Sequence, residues 1–170
     1  MAASLAPLTE LGRLQIETIA SDYRLEEAEA ILCSSYARAL ESAALLSRKL
    51  NKPLHVEYDL HEWLPQKDPL ADISAGLMAR ASEGLTQEMD AQVTLDEAPW
   101  ESLSEVRNRV VKVLERYQQF SSLVVVSHAM VISSLLGEKR AVEHAEIVPF
   151  ELDLQAPLPP LQSELASKGN

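Results

Sequence analysis

The chain has 170 residues, of which 46% are hydrophobic and 24% charged, and a formal net charge of −11. That much apolar material over this length suits one domain with a sizeable core, while the negative balance argues against nucleic acid or an anionic membrane surface as partner. One cysteine leaves no intramolecular disulfide and suits the cytoplasm. No apolar run approaches membrane-spanning length, and the amino terminus lacks the basic-then-apolar order of a secretion signal.

In chain order, Thr9 reads as the N-cap of a helix reaching about Ala20, with Gly12 permitting close packing on a sheet. A short acidic helix, Asp22 to Ala30, follows. The apolar run from Ala30 to Cys33 predicts a strand that passes into Ser34-Ser35. It is followed by an amphipathic helix with Leu40, Ala43, Leu46 and Leu50 on one side. Arg38 falls in the first turn of that helix. Arginine grips phosphate with paired, charge-assisted hydrogen bonds, and a helix start adds its positive dipole end.

The run from Leu54 to Glu62 alternates, which puts His55 and His61 on the face of Glu57 and Asp59, the solvent side of a strand. No strand signal stands out from Leu64 to Pro99. Asp68-Pro69 is a cap followed by a first-turn proline, predicting a helix to about Ser82 that stops at Gly84. Glu101 to Phe120 is the clearest helix, with Leu103, Val106, Val110, Val113, Leu114 and Tyr117 as an apolar stripe.

Leu123 to Val126 is a second apolar strand, ending on Ser127-His128 and followed at once by helix formers from Ala129. Ligands of open parallel α/β sheets bind outside the carboxyl ends of the strands, where the next helix also offers free backbone N–H groups. His128 is therefore a candidate phosphate or carboxylate ligand. A polar connection with His144 leads to a last predicted strand, Ile147 to Leu152. From Gln155 the tail, with Pro157, Pro159 and Pro160, is expected to be extended and then flexible. Strand-like segments alternating with helices argue for an α/β fold with a mostly parallel sheet between helical layers. No spacing among the histidines and Cys33 suits a metal, so no metal and no cofactor are expected.

The pattern Ser34-Ser35-x-x-Arg38-Ala39-x-x-Ser42-Ala43, then Leu60-His61-Glu62-Trp63, then Glu101-Ser102 through Arg109-Val110 to Val124-Val125-Val126-Ser127-His128-Ala129, resembles the histidine phosphatase superfamily, the phosphoglycerate mutase-like fold. Pro7-Leu8-Thr9-x-x-Gly12-x-x-Gln15 resembles the start of that family's first helix, so the likeness runs from Pro7 to about Leu154 as a single domain. The resemblance implies a phosphomonoesterase or phosphomutase. Ser35, Arg38, His128 and Ala129 would bind phosphate, with His128 also in the catalytic set. Glu62 would be the acid/base residue that protonates the leaving group, a role that needs a raised carboxyl pKa. Residues 64–99 would form the lid; a short lid suits a small or broadly chosen phosphate ester by analogy.

Members of that family open with an apolar strand ending in Arg-His-Gly, whose histidine is the nucleophile. These 170 residues contain no Arg-His or His-Gly pair. Phosphoryl transfer through a phosphohistidine needs an imidazole in line with the leaving oxygen. Two readings follow. One is a histidine phosphatase represented by an incomplete chain. The other is a non-catalytic relative that binds a phosphorylated small molecule, or a protein, through Arg38 and His128. A missing strand within the sheet would leave unpaired backbone groups on two neighbours, each costing about 1–3 kcal/mol if buried. The neighbours could close up, a second copy could lend a strand, or the chain's own termini could fill the gap. An open edge invites another chain, which favours a homodimer.

Overall fold

Thr9 has the side chain and the extended backbone of an N-cap, and its Oγ1 accepts from Gly12 N at 3.0 Å; helix α2 (Glu10–Ile19) starts there, after the single turn α1 (Ala2–Leu5). A Cβ on Gly12 would lie 3.1 Å from the Leu8 side chain and 3.3 Å from Thr9 Oγ1. The glycine makes room for its own cap rather than for a sheet. The structure, a computed structural model, describes residues 2–68, 70–91, 98–153 and 162–163. They form two compact units, one of residues 1–61, 112–128 and 142–150 and the other of 62–111, 129–141 and 151–170.

In the first unit the expected acidic helix shrinks to a 3-10 turn, Tyr23–Leu25. Asp22 opens that turn by accepting from Arg24 N and pairing with its guanidinium at 2.7 Å. Ala30 is taken instead by strand β1 (Ala30–Ser34), every residue of which is buried. Helix α3 (Ala37–Leu50) follows and ends on Asn51 with φ 53°, a left-handed cap of the kind asparagine tolerates. Its buried stripe is Ala39, Ser42, Ala43 and Leu46, while Leu40, expected inside, is 38% exposed. Small side chains on the inner face let the helix lie close to the sheet.

β1 is the middle strand of a three-stranded parallel sheet, between β2 (Leu54–Glu57) and β3 (Leu123–Val126). Ile31 stands opposite Leu54 on one side and Val124 on the other, and both ladders continue without a break. The core of this unit is Ile16, Ala20, Leu25, Ile31, Cys33, Ala43 and Leu46, so α2 and α3 share it with the sheet. The fold is thus α/β, a small parallel sheet flanked by helices.

β1 and β3 pair directly, in register. Among the described residues no strand pairs with the other side of β3. The last predicted strand, Ile147 to Leu152, is not a strand. Pro149 has no N–H to give a ladder, and Ala145 just before it turns the chain at φ 59°. Ile147 still packs on the core as an irregular segment.

Burial without a charged partner pushes the Cys33 thiol up to about 11, and the residue is fully buried in β1. Since the thiolate is the reactive form, Cys33 should resist a thiol reagent at pH 8 in the native protein and react only as the domain opens. Labelling as fast as in denaturant would contradict this packing.

In the second unit the helix expected from Pro69 to Ser82 is displaced. Helix α4 runs Ala75–Ala91, with Ser74 Oγ accepting from Leu77 N, while Pro69 lies outside the described residues. Gly84 does not stop the helix. A Cβ there would come within 2.3 Å of the Trp100 ring, so this glycine is where the indole lies against the helix. Helix α5 (Leu103–Glu115), of which residues up to Val111 belong to this unit, is shorter than the periodicity suggests and opens on a capping box. Ser102 Oγ accepts from Glu105 N, and Glu105 Oε2 accepts from Ser102 N at 2.7 Å. Leu103, Val106, Val110 and Val113 are fully buried, whereas Tyr117 lies in the turns beyond the helix. Helix α6 (Ala129–Leu136) leads to β4 (Glu138–Lys139), which pairs in parallel with β5 (Gln162–Ser163). The rest of the expected flexible tail, and residues 92–97 of the expected lid, lie outside the described residues.

Candidate functional site

Three side chains meet in the first unit because parallel strands end at one edge of the sheet. β1 delivers Ser34, the turn after it puts Arg38 at the start of α3, and β3 is followed by Ser127 and His128. His128 is 6% exposed. Its Nε2 is 2.8 Å from Ser34 Oγ, and its Nδ1 is 3.1 Å from an Nη of Arg38. A guanidinium can only donate, so Nδ1 must accept and the proton of the neutral ring sits on Nε2, donating to Ser34. Ser34 Oγ also accepts from Tyr36 N at 3.2 Å. Ser127 Oγ donates to Leu60 O at 3.0 Å, anchoring the residue just before the imidazole.

Aromatic rings support the cluster. Tyr36 meets His128 edge-on at 5.1 Å and stacks on His61 at 6.3 Å, and the Arg38 guanidinium carbon lies 5.2 Å from the Tyr36 ring centre. Tyr58 contacts His61 at 5.0 Å. A ring face attracts a cation, so Tyr36 helps hold Arg38 beside His128.

Of the residues singled out in the sequence, Arg38 and His128 are hydrogen-bonded to each other. Ser35 is exposed, and the serine that reaches the imidazole is Ser34. His61 is corrected outright: expected on the solvent side of a strand, it is 4% exposed. The chain leaves β2 at Glu57 and makes a 3-10 turn, Tyr58–Leu60, which breaks the two-residue alternation before His61. Ala129, exposed, is the first residue of α6 in the second unit.

Glu62 also belongs to the second unit, half-buried, with Oε1 accepting from Trp63 N at 2.8 Å. Near it in sequence, Leu64 O accepts from Glu101 N at 2.8 Å, and Leu64 N donates to Glu101 Oε2 at 3.2 Å. Glu101 in turn pairs with Arg109, Nε to Oε1 at 2.6 Å and Nη to Oε2 at 3.0 Å. The sequence signalled this pair only as part of the Glu101-to-Arg109 motif, not as an ion pair. Among the described residues no three His, Cys, Asp or Glu side chains converge as a metal site, and no helix is long and apolar enough to cross a membrane.

Several solved structures share the fold. A mycobacterial glucosyl-3-phosphoglycerate phosphatase matches with a TM-score of 0.59 at 23% identity, over 76% of this chain and 65% of its own. YhfR of Bacillus stearothermophilus matches with a TM-score of 0.59 at 18% identity, over 78% and 67%. An alpha-ribazole phosphatase from Shigella flexneri matches with a TM-score of 0.53 at 23% identity, over 77% and 66%. The chain spans 64% of the length of a further relative, a mycobacterial hydrolase, and so about two thirds of these proteins. No curated protein matches the sequence. The sequence pattern of the histidine phosphatase superfamily, branch 1, matches residues 4–156. The motif order, the parallel sheet and that match over nearly the whole chain agree, and the protein belongs to the histidine phosphatase superfamily.

Proposed function

We propose that Ser34, Arg38 and His128 form a phosphate-binding site of the histidine phosphatase type, that its ligand is a small phosphorylated molecule, and, on the family resemblance alone, that Glu62 has the acid/base role. The observation that carries this reading is the Arg38–His128–Ser34 hydrogen-bonded chain at the carboxyl ends of β1 and β3. A guanidinium fork suits two phosphate oxygens, and the imidazole can give a third, directional contact when its Nε2–H turns from Ser34 Oγ to the phosphate. For these 170 residues the binding role is favoured over turnover, because no Arg-His pair supplies the family's nucleophile. The single, buried Cys33 and the net charge of −11 support a cytoplasmic protein with no nucleic acid partner.

Inorganic phosphate, titrated into the 170-residue protein and followed by calorimetry, should bind saturably. Arg38→Ala and His128→Ala should each weaken binding about 10- to 100-fold, the worth of one hydrogen bond to a charged group. Hydrolysis of p-nitrophenyl phosphate should not exceed background. Unchanged affinity in both variants would overturn the site. Robust hydrolysis with a phosphohistidine, abolished by His128→Ala, would overturn the non-catalytic role.

A further inference from the structure

Residues 62–64 belong to no helix or strand, so no ladder of backbone hydrogen bonds fixes them. Contacts to Glu101 and Arg109, from the Glu101 main chain and from both side chains, hold them instead. Glu101 and Arg109 have side chains only 8% and 13% exposed and are joined by two parallel hydrogen bonds. From the same pair, Glu101 Oε2 accepts from Leu64 N at 3.2 Å, Glu101 N donates to Leu64 O at 2.8 Å, Glu101 O accepts from Trp63 Nε1, and Arg109 Nη donates to Glu62 O at 3.5 Å. Each residue from Glu62 to Leu64 is therefore tied to this one pair. Trp63 N closes the set by donating to Glu62 Oε1 at 2.8 Å.

Burying two charges is a poor way to gain stability, since their desolvation offsets much of their attraction. It is a good way to fix geometry, because the guanidinium fork and the carboxylate meet in one plane and one orientation. We propose that Glu101 and Arg109 are positioning residues for Glu62, holding residues 62–64 so that the Glu62 carboxylate stays against the Trp63 amide. This rests on the reading of Glu62 as the acid/base residue and extends it from one side chain to the device that aims it. A protonating carboxyl must be held in register with the leaving oxygen, which an irregular segment cannot ensure by itself.

The test compares two arginines of α5. Arg107 is half-buried on the same helix and donates from Nε to Ser134 O, so it controls for the loss of a hydrogen-bonded, desolvated cation. Amide hydrogen exchange is measured by NMR on the 170-residue protein and on R109M, R109K and R107M, with E62Q showing that the Trp63 amide senses the Glu62 carboxylate. R109M should speed Trp63 amide exchange about tenfold relative to the amides of β1, as expected for loss of one ordinary hydrogen bond, and shift the Trp63 indole signal. R109K should fall between R109M and the parent, keeping the charge without the fork, and it decides the matter if R109M does not fold. R107M should lower the melting temperature and leave that ratio unchanged. Equal effects of the Arg107 and Arg109 variants at Trp63 would overturn the proposal. Phosphate affinity does not enter this readout: if Trp63 responds but phosphate never binds, the positioning device stands and the functional reading falls.

Discussion

Replacing Glu101 with alanine is expected to destabilise the protein by about 3–5 kcal/mol, the usual consequence of leaving one member of a buried ion pair without its partner. Arg109 would keep its charge at a side-chain exposure of 13%, and Leu64 N would lose its acceptor. A domain of ordinary stability has only about 5–15 kcal/mol in total, so the variant should unfold at a much lower urea concentration. Converting both residues at once, Glu101→Leu with Arg109→Met, removes the charges together and should recover much of the loss. Urea unfolding curves for the single and double variants check this. A single-variant effect below about 1 kcal/mol, the value of an exposed pair, would mean that water reaches the pair.

Ile31→Ala is expected to cost about 2–5 kcal/mol, from lost burial plus the cavity left behind. Ile31 is fully buried in the middle strand and contacts the core shared by α2 and α3. Ile31→Val removes one methyl and should cost only about 0.5–1.5 kcal/mol. Equal effects of the two substitutions in the same assay would mean that the cavity collapses, and that the helices are less firmly seated on β1 than their burial indicates.

The elements that place the site were legible because each is written as a long, unambiguous pattern. β1 and β3 are unbroken apolar runs ending on hydroxyl residues, and α3 starts three residues after β1. That Arg38 and His128 come together could be expected because both follow strands that end at the same edge of a parallel sheet. What failed was local. Alternation carried through Glu57 to His61 put an imidazole in solvent that the 3-10 turn at Tyr58–Leu60 rotates into the protein. Gly84 read as a stop because glycine is a poor helix former, yet Trp100 needs the missing side chain's space. Pro149 could have warned against the last strand. The Glu101–Arg109 pair spans two turns of chain at the start of α5, and nothing in its spacing separates a buried clamp from two solvated charges.

The sheet also sets the order in which this protein can fold. Ile31 pairs with Val124, 93 positions later (124 − 31), and the two strands are parallel. At about 5–20 residues per second on the ribosome, β1 waits roughly 5–20 s for that neighbour. During the wait it has only β2 beside it among the described strands, and its Ile31-Leu32-Cys33 run, fully buried in the final fold, lacks that cover. Such long-range pairing also slows refolding. Production is therefore expected to depend on chaperone supply and growth temperature more than the native stability would suggest.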